Sequence, residues 1–298
     1  MKKFEVLKSN MRPRRSVLYM PGENERALKK GRELKADVFI MDLEDGVAPH
    51  SKQAARLRVI DHIKEGGYGT REICVRINGE GTEWYEDDIS AVAKSSADAV
   101  VLPKVNDQDS VLRAVELMEK AKCRPELNIW CMIETARGVL NADSIAASHS
   151  RVSVLILGGA DLTKDLKARH LPDRTPLLTS IQVCVLAARA HGLGVLDSPF
   201  FDLSDDEGFL NSCCQGRDFG FDGKTLLHPK TLEVANRIFS PSKEELEWAF
   251  RIKEAHEKAL SEGKGVTLVD GQLVESLHVA EAQRLVEFSE VINTRDKA

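Results

Sequence analysis

Eight short runs of apolar residues recur along this chain, and a longer stretch with helical spacing follows most of them. The runs cover residues 16–20, 37–42, 72–77, 98–102, 128–133, 153–157, 194–196 and 224–227. Each run is almost continuously apolar rather than alternating, which is typical of strands buried on both faces of a parallel sheet. Between them, residues 25–34, 52–63, 110–120 and 179–191 space their apolar side chains as amphipathic helices do. Eight strand–helix units in about 240 residues predict an α/β fold, a (β/α)8 TIM barrel.

The chain continues past the length that such a barrel needs. A charged helix is predicted over residues 243–262, and the glycines at 263 and 265 end it. Residues 266–274 read as a β-hairpin, because Asp270-Gly271 is a favoured two-residue turn. A final helix is predicted over residues 277–291. We therefore expect two parts, a barrel catalytic domain at residues 1–240 and a C-terminal extension of hairpin and helices at residues 241–298.

Composition and charge exclude several classes of function. The chain has 42 basic and 47 acidic residues and a net charge of −5, so no basic excess is present to neutralise nucleic-acid phosphates. No run of 18 apolar residues is present and residues 1–15 lack an apolar signal core, so we expect no membrane span and a cytoplasmic location. The six cysteines form no C-x-x-C pair and are expected to be reduced thiols.

Polar residues stand where the predicted strands stop, and the active site of a barrel forms at the carboxyl ends of its strands. Carboxylates stand at the ends of the second, fifth, sixth and seventh runs, and Arg76 and Lys104 stand at the ends of the third and fourth. The carboxylates are Asp42, Glu44 and Asp45, then Glu134, Asp161 and Asp197. Carboxylate oxygens on separate rigid strands suit Mg²⁺, which takes one or two protein carboxylates together with water and substrate oxygens. The planar guanidinium of Arg76 suits a substrate carboxylate.

Each of these residues also has a purely structural interpretation. Glu134 is placed to cap the next helix, Asp161 follows glycines in a turn, and Arg76 is able to form a salt bridge inside the barrel. Several common catalytic motifs are missing. The Gly223-Lys224-Thr225 segment fails as a phosphate loop because Asp218 stands where glycine is required. The Gly-rich dinucleotide turn, the zinc-protease motif and the serine nucleophile elbow are all absent from the sequence.

Eight short motifs occur in order on the predicted strands, at residues 15–22, 42–47, 75–78, 102–104, 133–138, 158–162, 223–229 and 239–242. Together they resemble the citrate lyase β-subunit-like branch of the HpcH/HpaI aldolase superfamily, which includes malyl-CoA and citramalyl-CoA lyases. The resemblance implies a trimeric barrel that binds Mg²⁺ and an acyl-CoA. It implies that Glu134 and Asp161 are the metal ligands and that Arg76 holds the carboxylate or carbonyl oxygen of the substrate.

The resemblance also implies a coenzyme A site and a lid. Arg26 is similar to a family arginine that meets coenzyme A phosphates, and Arg15 and Lys52 are predicted to belong to the same cofactor-binding set. In the family, the C-terminal hairpin and helix of one subunit cover the active site of a neighbour and deliver an acidic residue. That acid is Glu275 here, where the family pattern has aspartate.

The predicted activity is Mg²⁺-dependent cleavage or formation of a carbon–carbon bond in a malyl-, citramalyl- or citryl-thioester, giving an acetyl thioester and a 2-oxoacid. In this prediction Arg76 stabilises negative charge, and Glu275 protonates the departing enolate. The hydroxyl proton goes to a metal-bound water or to an acid of the Asp42–Asp45 cluster, with Asp45 named as the catalytic candidate. The expected partners are an acyl-CoA and a 2-oxoacid, with a homotrimer as the assembly. Two alternatives stay open: a class II aldolase that acts on 2-oxoacids without coenzyme A, and a coenzyme A-binding regulatory subunit that has lost catalysis.

Overall fold

The computed structural model describes residues 12–263 and 266–296. Eight parallel strands close into a barrel in sequence order, with the last strand paired to the first. The strands are β1 (Ser16–Pro21), β2 (Val38–Asp42), β3 (Glu72–Arg76), β4 (Ala99–Leu102), β5 (Asn128–Ile133), β6 (Val152–Leu157), β7 (Gly194–Asp197) and β8 (Gly223–Leu226). The predicted TIM barrel is confirmed, and each predicted strand lies within one residue of the observed one at either end.

Helices follow the strands on the outside of the barrel. They are α1 (Glu25–Gly31), α2 (Lys52–Glu65), α3 (Tyr85–Ala93), α4 (Gln108–Lys120), α5 (Ala136–Leu140), α6 (Ala142–Ala147), α7 (Gly159–Asp165), α8 (Leu178–Ala190), α9 (Asp206–Asp218) and α10 (Leu232–Ile238). Side-chain caps fix several of their starts. Asn24 accepts the backbone N–H of Ala27, and Asp107 accepts that of Ser110.

The inside of the barrel is filled by alternate residues of the strands, as the two-residue period of a strand requires. This core contains Val17, Val38, Ile40, Cys74, Ala99, Val101, Trp130, Met132, Val154, Ile156 and Leu196, all at most 5% exposed. Tyr19 packs against the same core but keeps part of its surface open. The next inward positions along the strands carry the polar residues of the barrel mouth.

Ion pairs close the amino-terminal end of the barrel. Arg14 bonds both carboxylate oxygens of Glu72 at 2.7 and 3.0 Å, and its guanidinium lies 5.1 Å from the ring centroid of Trp130. Arg15 donates to Asp37 from its backbone and its side chain at 2.8–2.9 Å. Buried charges that are paired in this way seal the barrel floor, so an open site is left only at the other end.

A second buried ionic network lies between the strands and the outer helices. Asp197, at the end of β7, is 0% exposed and pairs with Lys224 at 2.7 Å and with Arg174 at 2.6 Å. Arg174 has a left-handed backbone (φ 57°), and its Nε donates to Gln215 of α9. The network thereby ties the loop before α8 to β7 and α9.

The chain divides into two compact units, one over Arg14–Arg237 and one that contains the residues from Ile238 onward. The second unit contains α11 (Lys243–Ser261), a hairpin of β9 (Thr267–Val269) and β10 (Gln272–Val274), and α12 (Ser276–Arg295). A capping box of Ser242 and Glu245 begins α11. The core of this second unit consists of Ala249, Ile252, Val274, Ala282, Leu285 and Val286.

The predicted hairpin and helices are therefore present, and α12 is longer than predicted. Within the described part of the chain, no helix combines the length and the apolar character needed to cross a bilayer.

Candidate active site

Glu134 lies at the barrel mouth, one residue after the end of β5, and is 2% exposed. Its Oε1 accepts the backbone N–H of Lys104 at 2.7 Å. That N–H points at the carboxylate because Lys104 has a left-handed backbone (φ 52°), which is unusual for a residue other than glycine. The other oxygen, Oε2, accepts no hydrogen bond from any described residue, so the geometry leaves it available to a cation.

The glycine after β6 makes room for this carboxylate. A Cβ atom on Gly158 would lie 2.3 Å from both Cβ and Oε2 of Glu134. The backbone N–H of Gly158 also donates to the carbonyl of Ile133 at 3.0 Å, which holds the two strand ends together. Glu134 therefore sits directly against the backbone where β6 leads into α7.

Asp161 lies in the first turn of α7, is partly buried, and forms no hydrogen bond or ion pair with the described residues. Burial raises the pKa of Glu134 to about 7, with the negative charges of Glu44 and Asp161 adding to the effect. A divalent cation would relieve this repulsion. No group of three or more ligand residues is found in residues 12–263 and 266–296. Two carboxylates with free oxygens, one directly after β5 and one in the helix after β6, match Mg²⁺, which completes its shell with water and substrate.

Asp42 and Arg76 form a bidentate ion pair near Glu134 and Asp161. Arg76 donates from Nε and Nη2 to the two oxygens of Asp42, both at 2.7 Å, and its Nη1 lies 2.9 Å from Oε2 of Glu44. Asp42 also accepts the backbone N–H groups of Glu44 and Gly46, each at 2.9 Å. The loop after β2 is thus folded around Asp42, and Arg76 is held at the mouth by two carboxylates.

Glu44 connects this cluster to Lys104. Its Oε1 lies 2.5 Å from the Lys104 ammonium, while burial raises the pKa of Glu44 against the opposing effect of Arg76. Asp45 is exposed on the same loop and makes no hydrogen bond or ion pair within the described ranges. Its carboxylate is therefore free to act on a ligand.

The three predicted coenzyme A residues are placed in three different settings. Arg15 is 4% exposed and paired with Asp37 at the opposite end of the barrel, so the structure does not bring it to the site. Lys52 is 7% exposed, and its ammonium donates to the carbonyls of Leu43 and Glu44 at 2.8 and 2.6 Å. Lys52 therefore supports the loop after β2 from below.

Arg26 is the predicted coenzyme A residue that remains open to a ligand. It is exposed on α1 and has no partner among the described side chains. A cleft of about 470 Å³ lies beside this helix, lined by Glu23, Asn24, Glu25, Ser51, Ala54 and Arg58. Arg58 donates to the carbonyls of Gly22 and Glu23 at 3.2 Å, which fixes one wall of the cleft.

Glu275 belongs to the C-terminal unit, where it is exposed and directly precedes α12. Its backbone N–H donates to Nδ1 of His278 at 3.1 Å. The role of its carboxylate toward a neighbouring copy stays a prediction.

Three contributions to the site were missed at the level of sequence. The backbone N–H of Lys104 orients Glu134, and no sequence signal predicts a left-handed lysine. Gly158 was noted as part of a motif, but the contact that requires glycine was not. Tyr19 belongs to the first apolar run and to the motif at residues 15–22, but neither predicts its contact with Arg76, whose guanidinium lies 4.8 Å from the ring centroid.

This chain is similar to several known proteins over most of its length. A (3S)-malyl-CoA thioesterase from Cereibacter sphaeroides is 46% identical over 280 residues, which is 94% of this chain and 96% of the relative. The citrate lyase subunit beta from Leuconostoc mesenteroides is 35% identical, over 94% of this chain and 95% of that protein.

Among solved structures, protein CitE from Mycobacterium tuberculosis in complex with magnesium, acetoacetate and coenzyme A superposes with a TM-score of 0.76. It is 28% identical, and the match covers 92% of this chain and 97% of that one. The family description HpcH/HpaI aldolase/citrate lyase matches residues 15–229, which spans all eight strands. The predicted resemblance is confirmed, and this chain is a TIM-barrel enzyme that belongs to the HpcH/HpaI aldolase/citrate lyase family.

Proposed function

We propose that this protein is a Mg²⁺-dependent enzyme acting on a malyl-CoA-type thioester, and that hydrolysis of the thioester is its main reaction. The observation that carries the proposal is a pair of uncommitted carboxylates beside Arg76, in a chain 46% identical to a (3S)-malyl-CoA thioesterase. The predicted carbon–carbon cleavage becomes the second candidate, supported by the 35% identity to a citrate lyase subunit.

Glu134 and Asp161 are the proposed metal ligands. When bound, Mg²⁺ would draw electron density from the carboxylate and hydroxyl oxygens of the substrate. The protein prepares this site in advance. Lys104 fixes one oxygen of Glu134, and Gly158 leaves space for the other, so neither carboxylate needs to be pulled from an existing partner.

Arg76 is the proposed group that faces negative charge on the substrate. Its three nitrogens carry five N–H groups, and the bonds to Asp42 and Glu44 leave donors on Nη1 and Nη2. Because Asp42 holds the Arg76 guanidinium in a bidentate ion pair, the remaining N–H donors of Arg76 keep a fixed direction. Such preorganised donors stabilise developing charge without reorganising during the reaction.

Arg26 and the adjacent cleft are the proposed coenzyme A site. The arginine is unpaired and exposed, and the cleft beside it is bounded by the loop after β1 and the start of α2. A phosphate group suits this arrangement because Arg26 has no internal carboxylate to give up. We leave Arg15 out of the site, and we assign Lys52 to support of the β2 loop.

The two candidate reactions differ in the bond that breaks. In hydrolysis, Asp45 accepts a proton from water, the water oxygen adds to the thioester carbonyl, and the C–S bond breaks to give the free acid. Asp45 then passes its proton to the departing sulfur, which leaves as the coenzyme A thiol. In carbon–carbon cleavage, Asp45 accepts the hydroxyl proton and the bond to the acetyl carbon breaks. The acetyl-CoA carbanion then takes a proton from Glu275 of a neighbouring copy, and a 2-oxoacid is released.

An assay with malyl-CoA and Mg²⁺ separates the reactions, because hydrolysis releases a thiol and cleavage releases glyoxylate. Thiol is read with a disulfide reagent and glyoxylate as its phenylhydrazone, in the same reaction. We expect thiol release in excess of glyoxylate, both abolished in Glu134→Gln. Glyoxylate in excess of thiol would favour the lyase. Release of neither product, with coenzyme A binding retained in calorimetry, would favour a regulatory subunit. Loss of that binding as well would favour an aldolase that works without coenzyme A.

A further inference from the structure

Tyr19 crosses the barrel below the candidate site. It lies on β1, and its hydroxyl reaches Sδ of Met132 on β5, the strand on the opposite side of the eight-stranded barrel. Most inward side chains of this core are almost completely buried, whereas Tyr19 is only partly buried. Val17 and Trp130, in the layer beneath it, are 0% exposed, so we infer that the exposed part of Tyr19 faces the mouth.

The position of Tyr19 relative to the site is fixed from two directions. The guanidinium of Arg76 lies over its ring, 4.8 Å from the centroid. Met132 lies near the end of β5 and Glu134 directly follows that strand, two residues further along, so Glu134 lies one layer nearer the mouth. The Tyr19 hydroxyl therefore lies beneath the proposed metal ligand and beside the proposed anion-binding arginine.

The hydroxyl lacks a strong hydrogen-bond acceptor. The thioether of Met132, at 3.8 Å, is its partner among the described residues, and thioether sulfur is a weak acceptor. Burial raises the pKa of Tyr19, so the phenol is protonated and available as a donor. Buried polar groups are normally satisfied by stronger partners, and a group left in this state at a site mouth points to a missing ligand atom.

We propose that Tyr19 is a further substrate-contacting residue. Its ring forms the floor of the pocket that takes the acid portion of the substrate at the barrel mouth, and its hydroxyl donates a hydrogen bond to a carboxylate oxygen of the substrate. This inference rests on the proposed function, since the carboxylate that it contacts is the one placed near Glu134 and Arg76. The crossing ring also limits the depth of the pocket, so the acid portion must be short.

Tyr19→Phe tests the hydroxyl without changing the floor. We expect kcat/KM for malyl-CoA to fall about 10- to 100-fold, the range typical of a lost hydrogen bond to a charged group. The affinity of the Mg²⁺-loaded protein for oxalate, a small dicarboxylate probe, should fall by a similar factor in calorimetry. Mg²⁺ affinity itself should stay within about twofold, which separates loss of a substrate contact from damage to the metal site.

Tyr68→Phe is the matched control. Its hydroxyl donates to the carbonyl of Leu28 at 3.0 Å, away from the mouth. We expect this variant to lower Tm by roughly 2–6 °C and to leave kcat/KM and oxalate affinity unchanged. Tyr19→Phe should show the reverse pattern, with a nearly unchanged Tm, because its hydroxyl has only a sulfur partner to lose.

Two results would overturn the inference. The first is Tyr19→Phe with kcat/KM and oxalate affinity within twofold of the wild type. The second is a Met132→Leu variant that reproduces the losses of Tyr19→Phe, since the hydroxyl would then act only through the sulfur. If the wild type releases no product from malyl-CoA, the proposed function fails, and oxalate binding still decides the role of Tyr19.

Discussion

Replacing Glu134 with glutamine removes a charge from a buried position while keeping the shape of the side chain. In the metal-free protein the pKa of Glu134 is about 7, compared with an ordinary value of 4.5. The increase corresponds to about 3 kcal/mol, at about 1.4 kcal/mol for each pH unit. Because the folded state binds the proton more tightly than the unfolded chain, stability falls as the pH rises from 4.5 to 7 and the loss is complete above pH 7.

Glu134→Gln should therefore be more stable than the metal-free wild type at pH 8, by up to about 3 kcal/mol. The amide oxygen of glutamine still accepts the Lys104 N–H, although this bond is weaker without the charge. In thermal unfolding with a chelator, the Tm of the variant should exceed that of the wild type by about 5–10 °C at pH 8. Most of this difference should disappear at pH 5, where the wild-type carboxyl is protonated.

Addition of Mg²⁺ should reverse the order of the two proteins at pH 8. The wild type gains stability in proportion to the logarithm of the Mg²⁺ concentration above its dissociation constant, and the variant gains little. Glu116→Gln, which removes a charge from an exposed position on α4, is the control and should follow the wild type throughout. Equal pH dependence of Glu134→Gln and wild type would refute the burial argument, and equal stabilisation of the two proteins by Mg²⁺ would refute the metal assignment.

Three further substitutions separate the metal site, the fold and the C-terminal acid. Gly158→Ala places a Cβ 2.3 Å from Glu134, so Mg²⁺ affinity measured by calorimetry should fall at least tenfold with the fold retained in circular dichroism. Asp197→Asn leaves Lys224 buried without its counter-charge, and urea unfolding should show a loss of about 3–5 kcal/mol. Glu275→Gln should slow glyoxylate release from malyl-CoA at least tenfold and leave thiol release unchanged in the paired assay.

The barrel was predictable because its strands are buried on both faces and so consist of short continuous apolar runs. The ends of the strands were also predictable, since the runs stop at polar residues such as Asp42 and Glu134. The final helix is predicted to end at residue 291, yet the structure continues it to Arg295 and buries Ile292 against the C-terminal unit. Helix ends on a solvated face depend on contacts that a local pattern does not contain.

The site was predictable in composition but not in pairing. Strand order places Arg76 next to Asp42, because β2 and β3 are neighbours with these two residues in register. The sequence alone left open whether Arg76 faces a substrate or a carboxylate of the protein, and the structure pairs it with Asp42 and Glu44. Arg15 is the predicted coenzyme A residue that the structure places away from the mouth. It directly precedes β1. A residue that precedes a barrel strand lies at the closed end, so strand polarity alone argues against a role for it at the mouth.

The charge balance of the mouth supports the proposal that a cation takes part in binding the substrate. Five carboxyl groups surround the mouth against three cationic side chains: Asp42, Glu44, Asp45, Glu134 and Asp161 against Lys52, Arg76 and Lys104. An acyl-CoA that carries a further carboxylate is repelled by this excess of negative charge. The internal ion pairs neutralise most of the cationic groups, so Arg76 alone does not reverse the field. A divalent ion held by Glu134 and Asp161, as we propose, would do so at the point where both carboxylates have free oxygens. We therefore expect binding of the acid portion of the substrate to require prior binding of the metal.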